Sequence, residues 1–411
     1  MGRYGAKRAF HRAKIIPVKW LPIIVRGYYT KHRASHESGI MIKKRIVKRL
    51  VIGVVVLAAL GGVVEILIHR YDPTRILYKR LKADNAYVYD EINPKFLETD
   101  PRSLLSVATL GEVAILRARL INLIWGGAGF PAGLQPVIVE SAISVERLDD
   151  LPNLASIDRL NVDMGRDVRS YLYLLKPANK ANSKLVIYHH GFAGDIRDMP
   201  AVLGGFLARG YAVLGINMMA YGGNSRSVQS AEGENLNLHF DLDKIERPLR
   251  YHFEPLVVGV NYVLRAGGYQ AINMVGFSAG AFFTMVMAAI DGRISQSYLV
   301  AGVYPLYLRE GQEIQPYLPS YYPPLLSRAS YLDLFTLGAS GPGRRQLQIF
   351  NRYDRCCYKN RKGKLYESAV AEAVREIGDG GGFGVFIDES HADHRLSMTA
   401  LEVILDDMAA K

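Results

Sequence analysis

Cysteine is almost absent from this sequence of 411 residues, which contains only Cys356 and Cys357, side by side. Adjacent cysteines cannot join distant segments, so the sequence excludes a disulfide framework. It also lacks the CxxC spacing that is typical of structural zinc sites. There is no internal repeat and no low-complexity segment. The length therefore predicts one large globular domain or two ordinary ones.

Acidic residues are scarce in one part of the chain, the N-terminal arm of residues 1–49. This arm contains 14 of the 51 Lys and Arg residues but only one of the 39 Asp and Glu residues, Glu37. The rest of the chain then has 37 basic and 38 acidic residues, a formal net charge of −1, although the whole chain carries +12. A neutral body has no electrostatic reason to bind phosphate backbones, so we predict no nucleic-acid partner.

One long apolar run, residues 50–68, follows the basic arm and contains a single charge, Glu65. As a helix it is long enough to cross a hydrocarbon core of about 30 Å. The alternative, a buried core helix, is disfavoured because the run has no polar face. Basic residues flank both ends equally, and the further charges of the arm favour a cytoplasmic N-terminus. The sequence thus predicts a single-pass membrane protein whose main domain is extracytoplasmic.

Residues 69–134 are predicted to form a connector and a helical segment, with a helix over 103–126. From residue 135 onward, short β-rich runs alternate with helical stretches. The predicted strands are 136–144, 157–164, 169–177, 184–190, 211–218, 272–278, 297–305, 345–351 and 382–388. The predicted helices are 196–209, 254–266, 279–291, 366–377 and 394–410. This alternation predicts an α/β domain over 135–411, with helices on both faces of a mostly parallel central sheet.

Two insertions, 219–253 and 306–344, interrupt this alternation. The first is polar, and the second combines several prolines with Tyr307, Tyr317, Tyr321, Tyr322 and Tyr331. Long insertions in α/β domains are usually functional or disordered. The aromatic insertion either covers a site or packs on the surface, and the sequence leaves both possibilities open.

The stretch GFSAG places Ser278 midway between Gly276 and Gly280. An apolar strand precedes it and a helix follows it, which is the context of a nucleophile elbow. The turn is so tight that the positions two before and two after the serine approach each other, and both must therefore be small. The serine hydroxyl is raised above the sheet edge, near the positive end of a helix that favours negative charge.

A serine nucleophile needs a base, and the base needs an acid to orient it. On such a fold these residues follow the serine in the order acid, then histidine. Asp354 lies in the loop after one predicted strand, and both His391 and His394 lie after the last one. We favour His394 as the base and keep His391 as the alternative. Because this order accounts for the histidines, we predict no metal site in the surrounding acidic segment.

An oxyanion hole requires two backbone N–H donors. We assign one to Ala279, directly after the serine, and the other to Phe192, in the loop after the predicted strand 184–190. His189 and His190 precede the serine in the chain, and we interpret them as bracing this loop. The two cysteines are interpreted as structural residues of the loop that carries Asp354.

The chain resembles the α/β-hydrolase superfamily over roughly residues 135–411. The resemblance rests on four motifs that follow one another in the order HHGF, GFSAG, NRYD and HADH. The chain looks most similar to the esterases and peptidases of the dienelactone-hydrolase and prolyl-oligopeptidase type. The resemblance implies a serine hydrolase that uses Ser278, His394 and Asp354 and needs no cofactor. Residues 1–130 lie outside the family pattern.

The sequence therefore predicts a membrane-anchored serine hydrolase that acts on a small-molecule acyl substrate, foremost a carboxylic ester. Peptidase or thioesterase activity with the same triad stays open. So does acyl transfer to an alcohol or thiol. A further alternative, from another class, is a non-catalytic binding protein tethered to the membrane on a hydrolase scaffold.

Overall fold

The computed structural model describes residues 37–178, 182–314, 318–378 and 380–410. By their contacts these residues fall into two units, divided between Ile66 and Leu67. Most of the basic arm and Tyr317 of the aromatic insertion lie outside the described residues.

The first unit contains most of helix α1 (Glu37–Arg70), which includes the predicted membrane segment. From Arg45 to Arg70 this helix is long and apolar enough to cross a membrane, judged by length and composition. At 1.5 Å per residue these 26 residues extend about 39 Å. Large apolar side chains are exposed along it, among them Val51, Val54, Leu57, Leu60 and Val64. An exposed apolar surface of this extent is typical of a segment that contacts a membrane or a partner.

Among the described residues the second unit has eleven strands, and nine of them form one sheet. The strands are β1 (Ile138–Glu140), β2 (Leu154–Asp163), β3 (Arg169–Pro177), β4 (Lys184–His189), β5 (Ala212–Ile216), β6 (Ser227–Gln229), β7 (Asn235–Asn237), β8 (Ala271–Phe277), β9 (Ile294–Val300), β10 (Arg345–Asn351) and β11 (Gly382–Asp388). The large sheet has the order β1-β2-β3-β5-β4-β8-β9-β10-β11. Pairing is antiparallel from β1 to β5 and parallel from β5 to β11. Each of the nine predicted strands corresponds to one strand of this sheet.

In the part of the chain that the structure describes, nine further α-helices follow α1. They are α2 (Asp72–Leu81), α3 (Leu110–Trp125), α4 (Pro200–Ala208), α5 (Pro248–Ala266), α6 (Ala279–Ile290), α7 (Pro323–Leu326), α8 (Tyr331–Ala339), α9 (Lys364–Ile377) and α10 (Met398–Ala409). Helices cover both faces of the sheet, because successive side chains of a strand point to opposite sides. On β4, Leu185 and Ile187 belong to the core shared with α5, α6 and α8, whereas Val186 and Tyr188 belong to the core shared with α4 and α10. The predicted α/β architecture is confirmed.

Helix α3 corresponds to the helix predicted over 103–126, and it begins at Leu110. A capping box begins the helix. The Thr109 hydroxyl accepts a hydrogen bond from the Glu112 N–H, and the Glu112 carboxylate accepts one from the Thr109 N–H. Val113, Leu116 and Leu120 recur at helical spacing and are buried in the core that also contains α6. This segment therefore packs against the sheet domain as part of the second unit.

The two insertions differ in structure. Residues 219–253 contain the small antiparallel pair of β6 and β7 and the start of α5, from Pro248 onward. Within its described residues the aromatic insertion has no strand, but it holds α7 and the buried helix α8. The guanidinium of Arg309 lies 5.0 Å from the ring centre of Tyr321 and 4.8 Å from that of Tyr331. These tyrosines thus surround a buried cation.

Candidate active site

Ser278 lies between the end of β8 and the start of α6, with φ of 55° and ψ of −120°. A positive φ is unfavourable for a residue with a side chain, and this strain is typical of a nucleophile elbow. A Cβ on Gly276 would lie 2.2 Å from the carbonyl oxygen of Gly280, and one on Gly280 would lie 2.2 Å from that of His189. Glycine at both positions is therefore required by the close approach of three backbone segments.

The structure brings Ser278, Asp354 and His394 together from the loops at the carboxyl ends of β8, β10 and β11, respectively. The Ser278 hydroxyl is 2.8 Å from Nε2 of His394, and Nδ1 of His394 is 2.7 Å from Oδ2 of Asp354. An ionised carboxylate only accepts hydrogen bonds, so Nδ1 carries the proton and Nε2 accepts the serine hydroxyl. This orientation is the one in which an imidazole can remove the serine proton.

Asp354 is fully buried and is held ionised by its neighbours. Burial alone would raise the pKa of this carboxyl, but hydrogen bonds from His394 and from the Cys356 backbone lower it below its ordinary value. Burial likewise opposes a charged His394, but the hydrogen bond and charge of Asp354 raise the pKa of His394 above its ordinary value. The pair is thus arranged to stabilise an imidazolium once His394 has accepted a proton.

His391, the alternative base, lies elsewhere in the same loop. It is fully buried, its Nδ1 accepts a hydrogen bond from the Asp393 backbone, and its Nε2 is 3.3 Å from Oδ2 of Asp388. His394 lies before α10, which begins four residues later than predicted because Ser397 caps it by accepting a hydrogen bond from the N–H of Ala400. Of the two histidines, the structure places His394 beside Ser278.

The loop after β4 lies against the serine. A Cβ on Gly191 would be 3.0 Å from Cβ of Ser278, so this loop passes as close as a backbone can. The ring of His190 occupies the space beside Gly194, and its Nδ1 is hydrogen-bonded to the Tyr188 hydroxyl at 3.1 Å. His189 donates from Nδ1 to the backbone oxygen of His190. These contacts tie both histidines to the loop and to the end of β4.

The comparisons with known proteins agree with this fold. Residues 184–398 match the family model described as the alpha/beta hydrolase fold. The chain belongs to the α/β-hydrolase family. A search of the curated proteins gave no match.

Two solved structures show the same fold at low sequence identity. An acetyl xylan esterase from Paenibacillus sp. R4 is 15% identical with a TM-score of 0.51, and the match covers 75% of this chain and 98% of that one. The methylesterase BT1017 is 14% identical with a TM-score of 0.55, and the match covers 76% of this chain and 68% of that one.

In this α/β-hydrolase, two segments that the sequence did not connect with the site contribute neighbours to it. In helix α2, the guanidinium of Arg75 donates two hydrogen bonds, of 2.6 and 2.7 Å, to the carboxylate of Asp393. From the insertion 219–253, the rings of Tyr221 and His239 each lie 5.1 Å from the ring of Phe192. For Tyr221 and His239 the only sequence signal was the presence of an insertion at 219–253. For α2 there was no sequence signal.

The Cys356 and Cys357 backbones hold the acid from the other side. The N–H of Cys356 donates to Oδ1 of Asp354 at 2.7 Å, and that of Cys357 at 3.4 Å. The Cys357 sulfur is 4.0 Å from Nδ1 of His394. Both thiols are free.

Replacing Gly280 by alanine is expected to lower the free energy of unfolding by about 3 kcal/mol, because the added methyl would collide with rigid backbone oxygens of the adjacent strand end. Chemical denaturation of the purified protein measures this change. Gly292→Ala is the matched control, since a Cβ there meets no atom within 4 Å, and we expect it to stay within about 0.5 kcal/mol of the wild type. Equal stability of the two variants would contradict the tight turn.

Proposed function

We propose that this protein is a membrane-anchored serine hydrolase that cleaves the acyl bond of a carboxylic ester. The observation that carries the proposal is the unbroken hydrogen-bonded series from the Ser278 hydroxyl through His394 to Asp354, with contacts of 2.8 and 2.7 Å. Nothing in a purely structural role requires a strained serine at the end of a buried strand, aimed at an imidazole that a buried carboxylate orients.

In the proposed reaction, Oγ of Ser278 attacks the ester carbonyl while Nε2 of His394 takes the hydroxyl proton. The N–H groups of Ala279 and Phe192 stabilise the oxyanion, and Asp354 stabilises the imidazolium. The C–O bond to the alcohol then breaks, and His394 returns its proton to the leaving oxygen. Water repeats the sequence on the acyl-enzyme, releasing the acid and restoring Ser278.

An ester substrate is supported by the two solved structures of the same fold, both of which are named as esterases. The site supplies no metal or cofactor chemistry in this scheme, because the three side chains and two backbone donors account for every proton transfer. A small acyl substrate is therefore the partner that we propose for the domain formed by residues 135–411.

We place this domain at a membrane through residues 50–68, which lie within α1. The exposed apolar side chains along α1 and the length of about 39 Å of its part Arg45–Arg70 support this anchor. The surplus of basic residues in 1–49 supports a cytoplasmic N-terminus, with the connector 69–134 and the hydrolase domain on the extracytoplasmic side.

A comparison of His394→Gln and His391→Gln tests the base. With a chromogenic short-chain ester, we expect His394→Gln to lower kcat by about 10³-fold or more, because Ser278 then has no proton acceptor. His391→Gln is expected to change kcat by less than about tenfold, since His391 contacts Asp388 and the Asp393 backbone instead. Thermal melts of both variants separate loss of chemistry from loss of folding.

Two outcomes would contradict the proposal. If both variants kept wild-type activity, neither histidine would be the base. If the ester were consumed only when an acceptor alcohol was added, and yielded a new ester instead of the free acid, the enzyme would be an acyltransferase using the same triad.

A further inference from the structure

The two cysteines of the chain lie beside the proposed base. The sulfurs of Cys356 and Cys357 and a ring nitrogen of His394 all lie within 4.8 Å of one another. Sequence spacing gave no sign of this cluster, because His394 arrives from a loop 37 residues farther along the chain than Cys357. The fold thus assembles two thiols and an imidazole, the donor types that zinc prefers.

The separation of these donors is close to that of a metal site. Ligands at 2.0–2.3 Å from a tetrahedral ion are about 3.3–3.8 Å apart. The three donor atoms lie within 4.8 Å of one another, so displacements of about 1 Å by side-chain rotation would bring them to these distances around an ion. A fourth ligand is at hand, since Oδ2 of Asp354 already lies 2.7 Å from Nδ1 of His394.

The thiols are not needed for what the acid loop does in the fold. Asp354 is held through the backbone N–H groups of Cys356 and Cys357, which residues with other side chains would supply equally well. Cys356 is partly exposed, so an ion has a path from solvent, while Cys357 and Asp354 are buried behind it.

We propose that Cys356, Cys357 and His394 form a binding site for a thiophilic divalent cation such as Zn²⁺, and that its occupation switches the hydrolase off. Binding releases the two thiol protons to solvent and takes the Nδ1 lone pair of His394. The remaining imidazole proton then resides on Nε2, which can no longer accept the proton of Ser278. The inhibition rests on the proposed hydrolase function, whereas the binding does not.

Cadmium binding tests the site independently of activity. Reduced full-length Ser278→Ala protein is titrated with Cd²⁺, and the ultraviolet charge-transfer band of cadmium–thiolate bonds is recorded. We expect saturation at one equivalent, with no band when Cys356→Ser and Cys357→Ser are added to the same protein. His394→Asn should keep the band but weaken Cd²⁺ binding by about tenfold or more. Absence of the band, or its persistence without the cysteines, would overturn the site.

Zinc inhibition tests the switch. The rate of ester hydrolysis is measured with and without Zn²⁺ for the wild type and for the Cys356→Ser/Cys357→Ser variant. The ratio of the two rates is compared between the proteins, so that a difference in their rates without Zn²⁺ cancels. In the variant, the zinc concentration for half inhibition should be higher than in the wild type by more than roughly 10- to 100-fold. That range is the effect of losing a residue that only supports a metal ligand, and the cysteines are proposed as ligands themselves. Mg²⁺, which prefers oxygen ligands, should not inhibit, and a chelator should restore activity.

The two measurements keep the failures apart. If no ester is hydrolysed but Cd²⁺ binds through the thiols, the proposed function fails and the metal site stands. If hydrolysis occurs and Zn²⁺ inhibits both proteins equally, the hydrolase stands and the cysteine switch is wrong.

Discussion

Replacing Ser278 by alanine is expected to lower kcat/KM for ester hydrolysis by about 10⁴-fold or more, because it removes the hydroxyl that would form the acyl-enzyme. The proposed oxyanion donors and the imidazole stay in place, so the substitution removes the proposed nucleophile alone. Alanine and serine have similar size, and the same strained φ of 55° must be adopted by either. We therefore expect the free energy of unfolding to change by less than about 1 kcal/mol.

A fluorophosphonate probe tests whether Ser278 is the activated nucleophile. It reacts covalently with an activated serine, and the experiment requires no knowledge of the substrate. Wild-type protein should be labelled and Ser278→Ala should not. Ser327→Ala, at an exposed serine whose hydroxyl only contacts the Pro324 backbone, is the matched control and should label like the wild type. Equal labelling of Ser278→Ala would show that another residue is the activated nucleophile, and lack of labelling in the wild type would favour a binding protein.

The fold was predictable because its signals are local. Each strand of the large sheet coincides with a short β-rich run, and β4, β5 and β8 are mostly apolar because both of their faces are buried. The elbow was predictable for the same reason: Gly276 and Gly280 sit two residues from Ser278, and the clash that forbids larger residues there is set by the turn itself.

What the sequence could not decide depends on contacts between distant segments. His391 and His394 are three residues apart, and both follow the same strand. Only the packing of the loop, with His391 against Asp388 and His394 against Asp354, separates them. The ion pair of Arg75 with Asp393 joins positions 318 residues apart, and no periodicity or composition reports such a contact.

Asp354→Asn is expected to lower kcat by about 10⁴-fold while leaving the histidine and serine in place. The amide of asparagine can present its NH₂ group to Nδ1 of His394, which then becomes an acceptor and moves the imidazole proton to Nε2. In that tautomer His394 cannot take the proton of Ser278. The loss is large because one hydrogen bond at 2.7 Å sets both the orientation and the protonation of the base.

Steady-state kinetics with the chromogenic ester measure this change, and Asp393→Asn provides the matched control. Asp393 is in the same loop as His394 and pairs with Arg75, but it does not contact the imidazole nitrogens in the series that leads to Ser278. The control removes the same charge, so general electrostatic effects appear in both variants, and we expect it to lose less than about tenfold in kcat. If Asp354→Asn kept more than a tenth of the wild-type kcat with an unchanged melting temperature, another carboxylate would have to orient His394. If both variants fell equally, the loss would reflect the charge of the loop, since only the Asp354 substitution changes the tautomer.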